Sequence, residues 1–160
     1  MSFETAVQRT LRFEGGYADD PNDPGGETNW GISKRSYPDL DIRRLTKDEA
    51  IAIYRRDYWD ALKLDRISPI LGAEVFDHAV NAGPAAAVEL LQSALVRLGY
   101  PVAIDGRLGP ATRRVLEDIQ PVMAAALYRL ERVRFYARLA ERRASMRRYL
   151  VGWLRRALGD

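Results

Sequence analysis

One acidic residue stands out for where it sits. Glu14 closes an amphipathic run and is followed at once by Gly15-Gly16, then by residues 15–32, a stretch crowded with Gly, Pro, Asp and Asn. Phe3, Ala6, Val7, Thr10 and Leu11 recur at the spacing of a buried helical face, with Ser2 placed to cap it, and Glu14 continues the stripe. Taking a carboxylate out of water disfavours its charged form, so such a group is expected to keep its proton near neutral pH. A retained proton on a glutamate is what general-acid cleavage of a glycosidic bond needs. The plainer alternative is a side chain turned to the helix edge, toward solvent or Arg12.

The elements that would position this group are mostly helices. Residues 15–32 lack a helical period and read as an ordered loop or short hairpin. Thr46 and Glu49 form a capping-box pattern opening a helix that carries Ile53, Tyr54, Tyr58 and Trp59. Ser68-Pro69 starts another, ending near Gly83. Pro84 and Gly99 bracket a third, with Val88, Leu91, Leu95 and Leu98 on one side. Gly109-Pro110 opens a short helix ending near Gln120. The pattern is then helical from Pro121 to about Arg148, with a last segment holding Trp153, Leu154 and Leu158. The Pro and Gly clusters near 83–84 and 99–110 are the places where the chain could divide, and the first gives residues 1–83 and 84–160.

Composition narrows the chemistry further. There is no cysteine, so disulfides and thiolate metal sites are excluded, and with the single histidine His78 a zinc centre is not expected. Charge is uneven: after residue 128 there are ten arginines against three acids, although the net charge is +3. A basic C-terminal surface suits an acidic polymer, anionic lipid or nucleic acid, and no nucleic-acid motif accompanies it. The N-terminus lacks the basic and apolar stretches of a secretory signal, so synthesis in the cytoplasm is expected.

The block from Glu14-Gly15-Gly16-Tyr17 through Asp23-Pro24-Gly25-Gly26-Glu27-Thr28-Asn29-Trp30-Gly31-Ile32 resembles the signature of glycoside hydrolase family 108. These are lysozyme-like N-acetylmuramidases of phage endolysins and bacterial secretion-activator proteins. The resemblance implies a mainly α, lysozyme-like catalytic lobe with a short loop or hairpin after its first helix, packed against a C-terminal helical bundle. It implies hydrolysis of peptidoglycan, with Glu14 as acid, Asp23 as second carboxylate and Thr28 orienting water. Asp19 and Asp20 remain alternatives to Asp23, and Asp23 before Pro24 and Thr28 are also ordinary turn residues. Tyr17, Asn29 and Trp30 are candidate substrate contacts; Tyr17 and Trp30 could stack on sugars or wedge the hairpin in place. Asp77 and Asn81, four apart in Asp77-His78-Ala79-Val80-Asn81-Ala82-Gly83, also fit the family pattern and could line the far wall of a cleft, with a structural role open for Asn81.

Further on, Asp105-Gly106-Arg107-Leu108-Gly109-Pro110-Ala111-Thr112 resembles a turn of peptidoglycan-binding domains, and Gly152-Trp153-Leu154-Arg155-Arg156 the close of the helical module that follows this catalytic family. As plain physics, both are also turn and helix-start punctuation. Arg129, Arg132, Arg138, Arg142, Arg143, Arg147 and Arg148 are expected on the solvent side of the long helix. They form either a solvated face paired with Glu131 and Glu141, or a surface attracted to wall peptides and anionic lipid. The expected protein is a monomer without cofactor that binds glycan strands and stem peptides, not nucleic acid. It would reach the periplasm through a holin-type pore or other export route. Two other functions share these features: a lytic transglycosylase, and a non-catalytic wall-binding or secretion-activating protein.

Overall fold

The structure, a computed structural model, describes residues 2–19 and 26–159. The chain is mainly helical with one two-stranded hairpin among the described residues, and forms two compact units, Met1–Ala61 and Leu62–Asp160.

In the first unit, helix α1 spans Phe3–Leu11 and buries Phe3, Ala6, Val7, Thr10 and Leu11, as the periodicity predicts. Ser2 occupies the cap position but its side chain makes no cap bond to the backbone, contrary to expectation. The helix stops earlier than the apolar stripe suggests. The Arg12 and Phe13 amides bond to Arg9 O and Thr10 O, tightening the last turn, and Glu14 follows in a bend. Strands β1 (Thr28–Asn29) and β2 (Ile32–Ser33) pair antiparallel around a Trp30-Gly31 turn, and Ala18 bridges to Thr28. Both turn residues have positive φ, 53° at Trp30 and 78° at Gly31, the pattern that matches strand twist in two-residue hairpins.

The capping box forms: the Glu49 amide donates to Thr46 Oγ1, and the Thr46 amide donates to the Glu49 carboxylate at 2.8 Å. It opens α2 (Lys47–Tyr54), which continues through Arg55–Asp60 as a wider π-helical segment. Trp59 from that segment packs edge-on against Phe3, with ring centroids 5.5 Å apart, and Arg55 lies over the Phe3 ring.

The second unit is a helical bundle of α3 (Pro69–Ala82), α4 (Pro84–Arg97), α5 (Pro110–Asp118), α6 (Pro121–Arg142) and α7 (Leu150–Leu158). Ser68 caps α3, proline opens each of α3 to α6, and Gly83, at φ 94°, turns the chain between α3 and α4. Helix α3 therefore builds its internal contacts with α4 and α6, although it precedes the Gly-Pro division. The long helical reading past Pro121 is interrupted: α6 ends at Arg142, Arg143 is extended, and a 3-10 segment (Ala144–Tyr149) leads into α7. No Gly or Pro marks this break, so periodicity runs through it.

The bundle's centre is ionic. Asp77, Glu74, Arg132 and Arg156 are all buried. Arg132 donates to Asp77 Oδ2 at 2.7 Å and to Glu74 Oε2 at 3.3 Å, Arg156 Nε donates to Asp77 Oδ2 at 3.0 Å, and Arg129 reaches Glu74 Oε1 at 2.9 Å. Burial alone would raise the Asp77 carboxyl, but Arg156 and Arg132 outweigh it and hold the group below the usual carboxylate range. Arg132 thus leaves the expected solvent face, while Arg129 stays partly exposed as it reaches Glu74, and Glu131, expected as an exposed partner, is itself buried.

His78 lies beside this network, fully buried among Tyr128, Phe135 and Tyr136. Its Nδ1 is 3.0 Å from Tyr128 Oη, which is 3.2 Å from Ala87 O. Nε2 has no hydrogen-bond partner among the described residues. A bare lone pair is cheaper to bury than an unpaired N–H, so the proton belongs on Nδ1, donating to Tyr128, whose hydroxyl donates to Ala87 O. Burial and Arg132 push the His78 pKa down to about 3.

Gln92, also fully buried, clasps the Asp105-Gly106 turn. Its Nε2 donates to Asp105 Oδ1 at 2.7 Å and to Arg107 O at 3.0 Å, and its Oε1 accepts from the Asp105 and Gly106 amides. Trp153 stacks on Tyr136 with centroids 5.1 Å apart, tying α7 to α6. Both C-terminal motifs therefore have a structural account.

Candidate active site

Glu14 is half-buried just beyond the end of α1, and its carboxylate meets the hairpin turn. A Cβ added at Gly31 would lie 2.7 Å from Glu14 Oε2 and would overlap the Tyr54 hydroxyl. Only glycine fits, on grounds of both space and positive φ. The Tyr54 hydroxyl donates to Trp30 O at 2.9 Å, which pins a bulky residue in the left-handed region, where non-glycine residues are strained by about 1 kcal/mol or more. Acid, turn and tyrosine are thus brought together from α1, the hairpin and α2.

A second layer lies along the π-helical segment. The Tyr54 and Tyr58 rings are 5.6 Å apart, and the Tyr37 hydroxyl donates to Asp57 Oδ2 at 2.8 Å. Burial raises the Tyr58 hydroxyl, and the negative charges of Asp57 and Glu14 raise it further, so Tyr58 stays neutral and able to donate. The Arg56 hydrogen bond lowers the Asp57 carboxyl. Sequence reading missed Tyr54, Gly31, Tyr37 and Asp57 as parts of the site. For Gly31 the tight Trp-Gly turn was a usable signal; the tyrosines gave none beyond helical spacing.

The remaining candidates separate by environment. Asp23 and its alternative Asp20 lie outside the described residues. Asp19 is exposed. Thr28 is half-buried at the start of β1 and exchanges two 2.8 Å backbone bonds with Ala18. Tyr17 is exposed at the surface, donating to Glu27 at 2.9 Å with Arg43 over its ring at 5.3 Å. Trp30 is half-buried in the turn.

Asn29 does not fit a substrate contact. It is buried, and its amide donates to Ile42 O at 3.1 Å and Leu45 O at 3.2 Å, using both hydrogens to tie β1 to the 3-10 turn Ile42–Arg44. Asp77 likewise cannot line an open cleft, since it is 1% exposed with both oxygens engaged by arginines. Asn81 is exposed, but its Oδ1 accepts from the Tyr136 hydroxyl at 2.8 Å, the structural role. No cluster of three or more His, Asp or Glu side chains that could hold a metal occurs among the described residues.

This arrangement, a half-buried carboxylic acid after the first helix facing a small hairpin, defines a lysozyme-like fold. Residues 7–83 match the family described as glycosyl hydrolase 108, and residues 86–158 match a second family described as a predicted peptidoglycan domain. Solved structures similar to this chain include that of SagA from Brucella abortus, at 26% identity, with a TM-score of 0.71 over 96% of this chain and 95% of that one. Comparison with curated proteins gave no match. The chain thus resembles the glycosyl hydrolase 108 family over residues 7–83 and a peptidoglycan domain over residues 86–158, which together support a lysozyme-like protein acting on peptidoglycan.

Proposed function

We propose that this protein is an N-acetylmuramidase of endolysin type, hydrolysing the β-1,4 bond between N-acetylmuramic acid and N-acetylglucosamine. The observation that carries this reading is the Glu14 carboxylate held half-buried against Gly31, beside the Tyr54 hydroxyl. Glu14 gives its proton to the glycosidic oxygen as the bond to the anomeric carbon breaks. The carbon gathers oxocarbenium-like charge, which Asp23 stabilises while Thr28 steers water. Water adds to the anomeric carbon and its proton passes to an enzyme carboxylate. Tyr17 and Trp30 stack on sugar rings at the open side of the hairpin, and the later helices hold the wall. The protein reaches the wall in the periplasm by a holin-type pore or another export route.

Product mass tests the reaction. Digestion of purified peptidoglycan in heavy-oxygen water is expected to give reducing muramic acid ends, each carrying one solvent oxygen. Anhydro-muramic ends would assign the protein to the lytic transglycosylases, and no cleavage by the folded protein would leave wall binding alone.

A further inference from the structure

Between α4 and α6 lies a cavity of about 340 Å³, inside the range of small-ligand sites. Leu90, Phe135 and Leu139 supply an apolar lining, and Arg138, Arg142 and Glu89 are charged groups around it. Two further lining residues, Arg97 and Glu131, neutralise each other: Arg97 Nε lies 2.9 Å from Glu131 Oε1, and Arg134 reaches the same oxygen at 2.7 Å. Arg138 and Arg142 differ. Both are exposed, one helical turn apart on α6, and neither side chain forms a hydrogen bond or ion pair with a described residue. Other arginines of this unit serve structure, among them Arg132 and Arg156 on Asp77, and Arg147 on Ala140 O. Two unpaired guanidiniums beside an apolar pocket, with one carboxylate nearby, complement a short peptide that carries carboxylates, a small apolar side chain and an ammonium group.

We propose that the α4–α6 pocket is a binding site for the stem peptide of peptidoglycan, with Arg138 and Arg142 clamping its free carboxylates, Glu89 receiving an ammonium group and Leu90, Phe135 and Leu139 covering a methyl side chain. The proposal rests on the peptidoglycan reading but not on cleavage, because the site is filled by peptide and not by glycan.

The probe is the free tetrapeptide L-alanyl-γ-D-glutamyl-meso-diaminopimelyl-D-alanine, titrated into the full-length protein and followed by amide NMR shifts. Saturable binding is expected, with shifts centred on α4 and α6. Arg138→Ala with Arg142→Ala should weaken it about tenfold or more, the scale of losing charge-assisted hydrogen bonds, whereas Arg147→Ala should not. In the parent protein, the same peptide with its carboxylates converted to amides should fail to bind, a result that depends on no variant. Absence of saturable binding, or binding indifferent to both the double variant and amidation, overturns the proposal. So does attachment of the parent, but not the double variant, to phosphatidylglycerol vesicles without peptide binding, which would assign the arginines to a lipid surface. Because the tetrapeptide contains no glycosidic bond, failure here leaves the muramidase reading standing, and failure of cleavage leaves peptide binding standing.

Discussion

The α-carbon of Gly31 faces the carboxylate of Glu14 so closely that a methyl group there would sit 2.7 Å from Oε2. Gly31→Ala must therefore displace the acid or the turn. Peptidoglycan turbidity assays should show activity reduced by about 10²-fold, the scale of a misplaced catalytic group. Activity close to the parent's would mean that the acid is not held where this contact places it.

Tyr54→Phe removes the hydroxyl that holds Trp30 O and lies beside Glu14. The melt should fall by about 1 kcal/mol of stability, the net worth of one such bond. The rate should fall through kcat more than KM, because the loosened turn no longer fixes Glu14. A variant with unchanged kcat would make Tyr54 a packing residue only.

In the second unit, Asp77→Asn leaves Arg132 and Arg156 buried with their shared charge partner gone. Breaking a buried pair in this way is destabilising by about 3–5 kcal/mol, so urea unfolding should shift to much lower midpoints. A melt like the parent's, with impaired substrate binding, would instead restore Asp77 to the cleft.

Acid should destabilise this unit in two stages. His78 is depressed from 6.5 to about 3 on folding, so the unfolded chain binds a proton that the folded chain refuses. Its contribution is complete above pH 6.5 and declines as pH falls toward 3, approaching about 1.4 kcal/mol per pH unit at most. Asp77 is also lowered, so its contribution is present above its ordinary value of 3.8 and is lost only as pH falls below it. Urea midpoints at pH 7, 6, 5 and 4 should decline in the parent and flatten in His78→Gln. An equal slope in both would place the titration elsewhere.

Features fixed by neighbouring residues were readable from the sequence. The Thr46–Glu49 box, the proline helix starts and the stripe of α1 all depend on groups within a few positions of each other. What was misread depends on distant partners. Asp77 meets Arg132 and Arg156 across 55 and 79 residues, and nothing near Asp77 distinguishes a buried ion pair from a cleft carboxylate. The arginines of α6 look alike in sequence, yet Arg132 is buried and Arg138 is exposed, because only the former faces α3. Asn29 sits in the densest part of the family motif, but the Ile42 and Leu45 carbonyls it satisfies are 13 and 16 residues away. Glu14 was legible by type and place, while the Tyr54 and Gly31 contacts that hold it were not.

The most direct test of the account is the Glu14→Gln variant, which keeps the shape of the side chain at Gly31 but removes the proton it transfers. Purified peptidoglycan should be cleaved about 10²-fold more slowly or not at all, with a melt close to the parent's. A folded Glu14→Gln protein that releases reducing muramic ends at the parent's rate would contradict the assignment of Glu14 as the acid.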